Sequence, residues 1–457
     1  MPRGLKRNPD SCGGDFKSSD CVKCTKSEVS YDSLPFQQVA IEKSYTVYLG
    51  PKAALNDEAP LQFDISGSGE DYWDPSEMFL KLKGKIVKAD AARTAVNHGG
   101  ATPSTVGVVN DIANAMFSQI DVVLNDTVIS QSSNMYGYKC YLSNLLSYTP
   151  EVKKAQMYMQ GWEKDSPEKF NLVTNEGYLS RRKRFENSNE FEVKVRLHTD
   201  LTFQNRLIPN HVTARLTLTR AKNAFCLLAF DGGDNPPEYS INLTDANLQV
   251  RKVQLAPDHQ LMIEQKILGG QGAHFPITHT VMKNYTIPEG YSTHEIDGLF
   301  MGQRPYAITI GFVKNTAFTG TLTLNPFEFK HYDLNYLSLN VDGTPVPSQP
   351  LQPNYEMKHY TECYETLFKG TCMLGSDVTH GISYGDYTGG YCLYCFNLTP
   401  DNSDGTSHIS QRKTGNVRLS IKWAKPLPET VTLIVLGQLQ NTITIDKTRN
   451  VLFDYAT

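Results

Sequence analysis

Nine cysteines and eleven histidines are the residues of this chain most able to bind metal or act as nucleophiles, and their spacing limits what they can do. Cys392-Leu-Tyr-Cys395 has CxxC spacing but falls in the strand-like run Tyr391 to Leu398. An offset of three along a strand sends the two thiols to opposite faces, so both read as core residues. Cys21-Val-Lys-Cys24, with Cys12 nearby, lies in a polar N-terminal stretch where metal binding is geometrically allowed. Cys12, Cys21 and Cys24 are therefore the weak candidate ligands. A structural zinc site takes four ligands and this stretch supplies three cysteines and no histidine, so no metal or cofactor is assigned. His274 and His279 are five residues apart and would also face opposite ways on a strand. With no His-x-His pair in the chain, the histidines read as surface or hydrogen-bonded side chains.

The other chemical signatures fail in the same way. No GxxxxGK[ST] loop, GxSxG elbow or HExxH helix is present. Gly67-Ser-Gly69 lacks the following helix that would aim amides at a phosphate, so it reads as a tight turn. The chain is expected not to be an enzyme. Two basic runs remain. Arg181-Arg-Lys-Arg184 reads as a solvated loop, while Arg3, Lys6 and Arg7 are candidates for contact with nucleic acid on the inner side of an assembly, through charge and without reading sequence. A net charge of −4 over 457 residues argues against a polyanion binder along its whole length.

Met1 to Phe16 has no apolar core of the kind a signal peptide needs. The longest apolar run, Val431 to Leu436, is far short of the ~20 residues that span a bilayer. The expectation is a soluble, intracellularly made protein with reduced cysteines, in which the sequons at Asn242 and Asn397 carry no glycan.

The elements that must position these residues are mostly strands. Phe191-Glu-Val-Lys-Val-Arg-Leu197 alternates apolar and charged residues and puts Phe191, Val193, Val195 and Leu197 on one face. The same pattern fits Met78–Val87, Thr213–Thr219, Ala307–Val313, Leu334–Val341, Val417–Trp423, Val431–Leu436 and Asn441–Asp446. Turn signals such as Asn125-Asp126 and Asp342-Gly343 punctuate them. Helical stripes are expected at Asn134–Ser147, with Ser132 or Ser133 as N-cap, at Tyr355–Phe368, and at Glu151–Gln160.

The surroundings of the two longer stripes match. Each follows a strand and a tight turn (Val122 to Ser130, Leu337 to Pro347), and each precedes a similar pair of segments (Leu197 to Leu201 and His211 to Leu216; Phe396 to Asp401 and Asn416 to Leu419). A displacement of about 200 residues far exceeds any solenoid period, so it reads as domain duplication. The expected division is a flexible tail at 1–35, a first β domain at 36–232 and a second at 233–457, with the seam in the polar stretch Asp231 to Glu238.

From Lys26-Ser-Glu28 to its end the chain resembles the major capsid proteins (hexon-like) of Polinton or Maverick elements and adintoviruses. The resemblance rests on Gly67 to Tyr72, Phe117 to Asp121, Ser130 to Asn134, Arg206 to Asn210, Lys222 to Cys226 and Val250 to Val253. In the second half it rests on Asn325 to Tyr332, Val341 to Pro347, Gln349 to Pro353 and Arg449 to Tyr455. It implies an all-β fold of two tandem eight-stranded jelly rolls, a double jelly roll, with a few inserted helices. It implies a homotrimer that serves as a pseudo-hexameric capsomer in an icosahedral capsid around double-stranded DNA. The implied partners are further copies of the chain, a penton-type single jelly-roll minor capsid protein and, without sequence preference, packaged DNA. The implied location is the virion, with synthesis in the host cytoplasm and the nucleus as a candidate assembly compartment. Ile267-Leu-Gly-Gly270 also resembles the cleavage pattern of adenovirus-like maturation proteases, against the plainer reading of a glycine turn.

Two other classes share the strand pattern. A β-sandwich carbohydrate-binding protein would be a monomer with a shallow aromatic site. A cupin-like metalloenzyme would need clustered His and Glu ligands, which the sequence lacks.

Overall fold

The computed structural model describes residues 38–55, 59–67, 69–99, 104–131, 133–230, 238–403 and 408–453. Sixteen strands form two copies of one arrangement. The first eight are β1 (Ile41–Leu49), β2 (Leu61–Ile65), β3 (Tyr72–Lys88), β4 (Phe117–Leu124), β5 (Thr127–Gln131), β6 (Phe191–Arg196), β7 (Ala214–Arg220) and β8 (Tyr239–Leu255). The second eight are β9 (Ala273–Ile287), β10 (Thr293–Gln303), β11 (Ala307–Lys314), β12 (Leu334–Val341), β13 (Thr344–Leu351), β14 (Leu393–Asn397), β15 (Thr414–Trp423) and β16 (Val431–Ile445). The first set forms two four-stranded sheets, ordered β1-β8-β3-β6 and β2-β7-β4-β5. The second forms β9-β16-β11-β14 and β10-β15-β12-β13, so adding eight to each label of the first set reproduces the second. A short strand, β17 (Val451–Phe453), pairs with the end of β16. The ladders are antiparallel, and each pair of sheets is a jelly roll. The fold is a double jelly roll.

The alternation read from sequence is what buries each strand. On β6, Phe191, Val193 and Val195 are buried while Glu192 is exposed. The expected strands at 431–436 and 441–446 are one continuous strand, β16, because Gly437 to Gln440 keeps the ladder to β9 unbroken. The seam expected between 232 and 233 moves as well. β8 pairs with both β1 and β3, which makes it the last strand of roll 1 and not the first of roll 2. The crossover is instead α5 (Pro257–Lys266), none of whose residues is buried. Residues 231–237 of that polar stretch lie outside the described residues, and Gly, Asp and Pro clusters suit loops within a domain as well as linkers between domains.

Helices fill the connections after the β4–β5 and β12–β13 hairpins. They are α2 (Tyr136–Ser147), α3 (Pro150–Ala155), α4 (Glu176–Arg184), then, beyond α5, α6 (Thr361–Gly370) and α7 (Tyr384–Thr388), while α1 (Ile112–Ala115) precedes β4. α2 follows the expected stripe, but its N-cap is Met135 with no side-chain cap; Ser132 lies outside the described residues. α6 begins later than expected because Asn354 and His359 close a turn, with the Asn354 amide oxygen accepting from Met357 N at 3.0 Å. Arg181 to Arg184 is a correction: the run is the last turn of α4, capped at its start by the Asn175 side chain. One hydrophobic core runs through both rolls.

Candidate assembly surfaces

Where the rolls meet, each side supplies a different surface. Roll 1 presents the β5 side of its sheet and the helices that follow it. Roll 2 presents the outer face of its β9-β16-β11-β14 sheet. At one end the contact is aromatic. Tyr141 of α2 stacks on Phe327 with centroids 4.2 Å apart and on Trp162 at 5.3 Å, and Tyr138 meets Phe318 and Phe327. Beside this cluster, Arg181 donates to Asp165 Oδ1 at 2.6 Å, to Glu163 O at 2.6 Å and to Val108 O at 3.0 Å. Asp165 in turn accepts from Asn325 Nδ2 of roll 2, and its carbonyl accepts from the Tyr391 hydroxyl at 2.6 Å.

The middle of the seam holds a second buried ion group. Lys139 of α2 donates to Asp200 Oδ1 at 2.8 Å, and His279 of β9 sits 2.6 Å from Asp200 Oδ2. Burial alone would raise the Asp200 carboxyl; the Lys139 ammonium and the His279 hydrogen bond outweigh it and hold it below the usual carboxylate range. His198 beside them is pushed down to about 3, first by burial and then by Lys139 and Arg196, so it is neutral at pH 7. Lys153 of α3 reaches across to His380 O at 2.8 Å and also donates to Leu145 O. At the far end, Arg449 donates to Asn210 at 2.8 Å and pairs with Glu264 of α5 at 2.5 Å. Its carbonyl accepts from Asn125 Nδ2 at 2.8 Å, and Val451 O accepts from Thr127 Oγ1 at 2.9 Å, so β17 laces the end of the chain onto roll 1.

The seam is built of stacked rings, buried ion pairs and hydrogen bonds that join the two rolls. Cys392 and Cys395 are both buried, as their strand position implies, and burial pushes the Cys395 thiol up to about 12. Such thiols are poor nucleophiles. Among the described residues, no three His, Cys, Asp or Glu side chains lie close enough to hold a metal ion, and no helix is long and apolar enough to cross a membrane. Gly67 is needed for close packing, since a Cβ there would lie 2.5 Å from the Val212 backbone. The His279 ring joins the seam through Asp200, while the His274 ring bonds Thr444 within roll 2 and the His274 carbonyl accepts from Arg206 of roll 1. Ile267 is 3% exposed while Leu268 is 63% exposed, and the segment is wound into a helical turn continuous with α5. That form favours the glycine-turn reading over an extended protease substrate. Cys12, Cys21, Cys24, Arg3, Lys6 and Arg7 lie outside the described residues.

Sequence reasoning placed Arg181 in a solvated loop, whereas it is buried, and it missed Asp165, Lys139, Asp200 and Lys153. One signal was present: the segment Leu197 to Leu201, noted for its echo in roll 2, contains Asp200.

Comparison with known proteins agrees with this architecture. No protein-family model matches the sequence. An uncharacterised protein of Caenorhabditis elegans, F54H12.2, is 22% identical over 425 residues, covering 92% of this chain and 99% of the relative. Among solved structures, the cryo-EM structure of the Sputnik virophage matches with a TM-score of 0.62 at 9% identity, over 95% of this chain and 93% of that one. The PBCV-1 virus capsid matches at 0.59 and 10% identity, over 94% and 100%. The mavirus major capsid protein matches at 0.57 and 11% identity, over 99% and 96%. At these identities the likeness is one of fold.

Proposed function

We propose that this chain is a viral major capsid protein of the Polinton, Maverick or adintovirus kind, whose trimers are the capsomers of an icosahedral shell around double-stranded DNA. The observation that carries the reading is the pair of complete jelly rolls fused through a buried seam, an arrangement shared along almost the full chain with the mavirus major capsid protein. Three such chains supply six rolls of one topology, and closed symmetry satisfies each contact between them. Interfaces of that kind bury more than ~2,000 Å² per pair. The vertex partner on this reading is a penton-type single jelly-roll protein, and Arg3, Lys6 and Arg7 are its candidates for charge contact with packaged DNA.

Light scattering behind size exclusion tests it on the full chain. The expected mass is three times 51.1 kDa, or that of larger shells. A monomer at every concentration that stays soluble would sink the proposal.

A further inference from the structure

The seam joins two unlike surfaces, and the shared topology gives each a counterpart on the other roll. Both counterparts are uncovered. On roll 2, the sheet face in the seam is closed off: every residue of Val431 to Asn441 on β16 is buried. The equivalent face of roll 1, on β1-β8-β3-β6, is half-open. There Phe79, Lys81, Lys83 and Lys85 alternate along β3 with buried Leu80, Leu82 and Ile86. Lys194 and Arg196 stand beside them on β6, in register with Lys81 and Phe79. Glu192 bridges Lys81 at 2.9 Å and Lys83 at 3.7 Å, and Asp245 pairs in register with Lys83. Five basic side chains thus share this face with three acidic ones, the third being Glu190, which accepts from Thr244 of β8 at 2.9 Å.

The other counterpart pair is α2 and α6, each following the second strand of its hairpin. Ten of the twelve residues of α2 are buried, against α1 and β4 of roll 1 and, through Tyr138 and Tyr141, against the aromatic cluster of roll 2, whereas three of the ten in α6 are. Between α6 and β13 runs an open groove of about 660 Å³, lined in part by Glu362, Glu365, Lys369, Leu351 and Leu374. β13 is the outer strand of its sheet. Its equivalent in roll 1, β5, carries Thr127, which is already engaged by β17.

We propose that these two uncovered surfaces bind each other between copies of the chain: the β13–α6 groove of one copy seats on the lysine face of β3 and β6 of the next. The inference rests on the capsomer reading and names its contact. It repeats between chains the geometry that already joins the rolls within one. Two unlike faces on one chain make a heterologous contact, which closes into a ring or grows without limit. The charges match too: Glu362 and Glu365, the latter bridged to Lys369 at 2.9 Å, meet a sheet face on which two lysines share one glutamate.

The test reverses charge on each surface in the full-length protein, with circular dichroism confirming that each variant folds. K81E/K83E and E362K/E365K are each expected to raise the concentration of half-dissociation of the trimer at least about tenfold. A chain carrying all four changes is expected to recover most of that loss. Hydrogen exchange of the unaltered protein supplies a readout that no variant can spoil: amides of 192–196 and 361–370 should slow on assembly. A trimer unmoved by either reversal, with exchange at both segments unchanged, would overturn this contact and leave the capsomer standing. An unaltered chain that stays monomeric would overturn the capsomer and the contact together.

Discussion

Arg181 is 1% exposed and spends its donors on Asp165, Glu163 and Val108, which turns a basic side chain into a core residue. Removing one partner of such a pair leaves an uncompensated buried charge. Arg181→Ala is therefore expected to destabilise the chain by about 3–5 kcal/mol, visible as a lowered denaturant midpoint. A midpoint unchanged from the parent would show that the pair adds nothing. Two other buried groups make stability depend on pH. Burial pushes the Asp111 carboxyl up to about 7 against the amide hydrogen bonds from Asn114 and Asn144. Burial first, and Lys164 second, push the Lys153 ammonium down to about 7. Unfolded carboxyls and ammoniums titrate near about 4 and 10. Between about pH 4 and 7 the folded state keeps a proton on Asp111 that the unfolded chain has released, so stability falls as pH rises. Between about pH 7 and 10 the unfolded chain keeps a proton on Lys153 that the folded state has released, so stability rises again. The sum of the two contributions has its minimum near pH 7. Thermal midpoints measured across this range should show the lower limb flattened in Asp111→Asn and the upper limb flattened in Lys153→Met; parallel curves would refute the assignment. Arg181 stood out in the sequence only as part of a basic run, and Asp111 and Lys153 did not stand out at all. What distinguishes them is burial, and burial here is set by segments far away in the chain.

At the scale of elements, period-two alternation and turn chemistry located most of the strands, because each strand has one face toward a core and one away. The stripe of α2 was equally clear. What its outer face packs against was not, since an apolar stripe says that a helix is covered and is silent on the cover. Tyr141 illustrates this: its ring lies on Phe327 of roll 2 with an interplanar angle of 5°. Tyr141→Ala should destabilise by about 3–5 kcal/mol, the range for emptying an aromatic site. A cost below about 1 kcal/mol would mean the helix relaxes into the gap. The crossover helix α5 escaped notice because its weakly apolar residues Leu261, Met262 and Ile263 lie in solvent and form no buried stripe. The Arg181 to Arg184 run reads as loop for the opposite reason, since charge density says nothing about an arginine whose partners come from other segments.

For the molecule as a whole, duplication was legible from two hairpins and two following stripes, and eight-for-eight strand order bears that out. The boundary was not, because a jelly roll closes with its last strand running beside its first. β8 must come back to β1 before roll 1 exists, as the Ile41 to Leu255 pairing shows. That closure sets an order of events during synthesis. Roll 1 has all its strands once Leu255 has left the ribosome, yet the face of α2 that belongs in the seam has nothing to rest on. The rings that cover it, Phe318 and Phe327, are made roughly 60–70 residues later, a wait of roughly 3–15 s at ordinary translation rates. For that interval the nascent chain is a folded domain with a bare aromatic ledge, and it is then that a chaperone has something to hold.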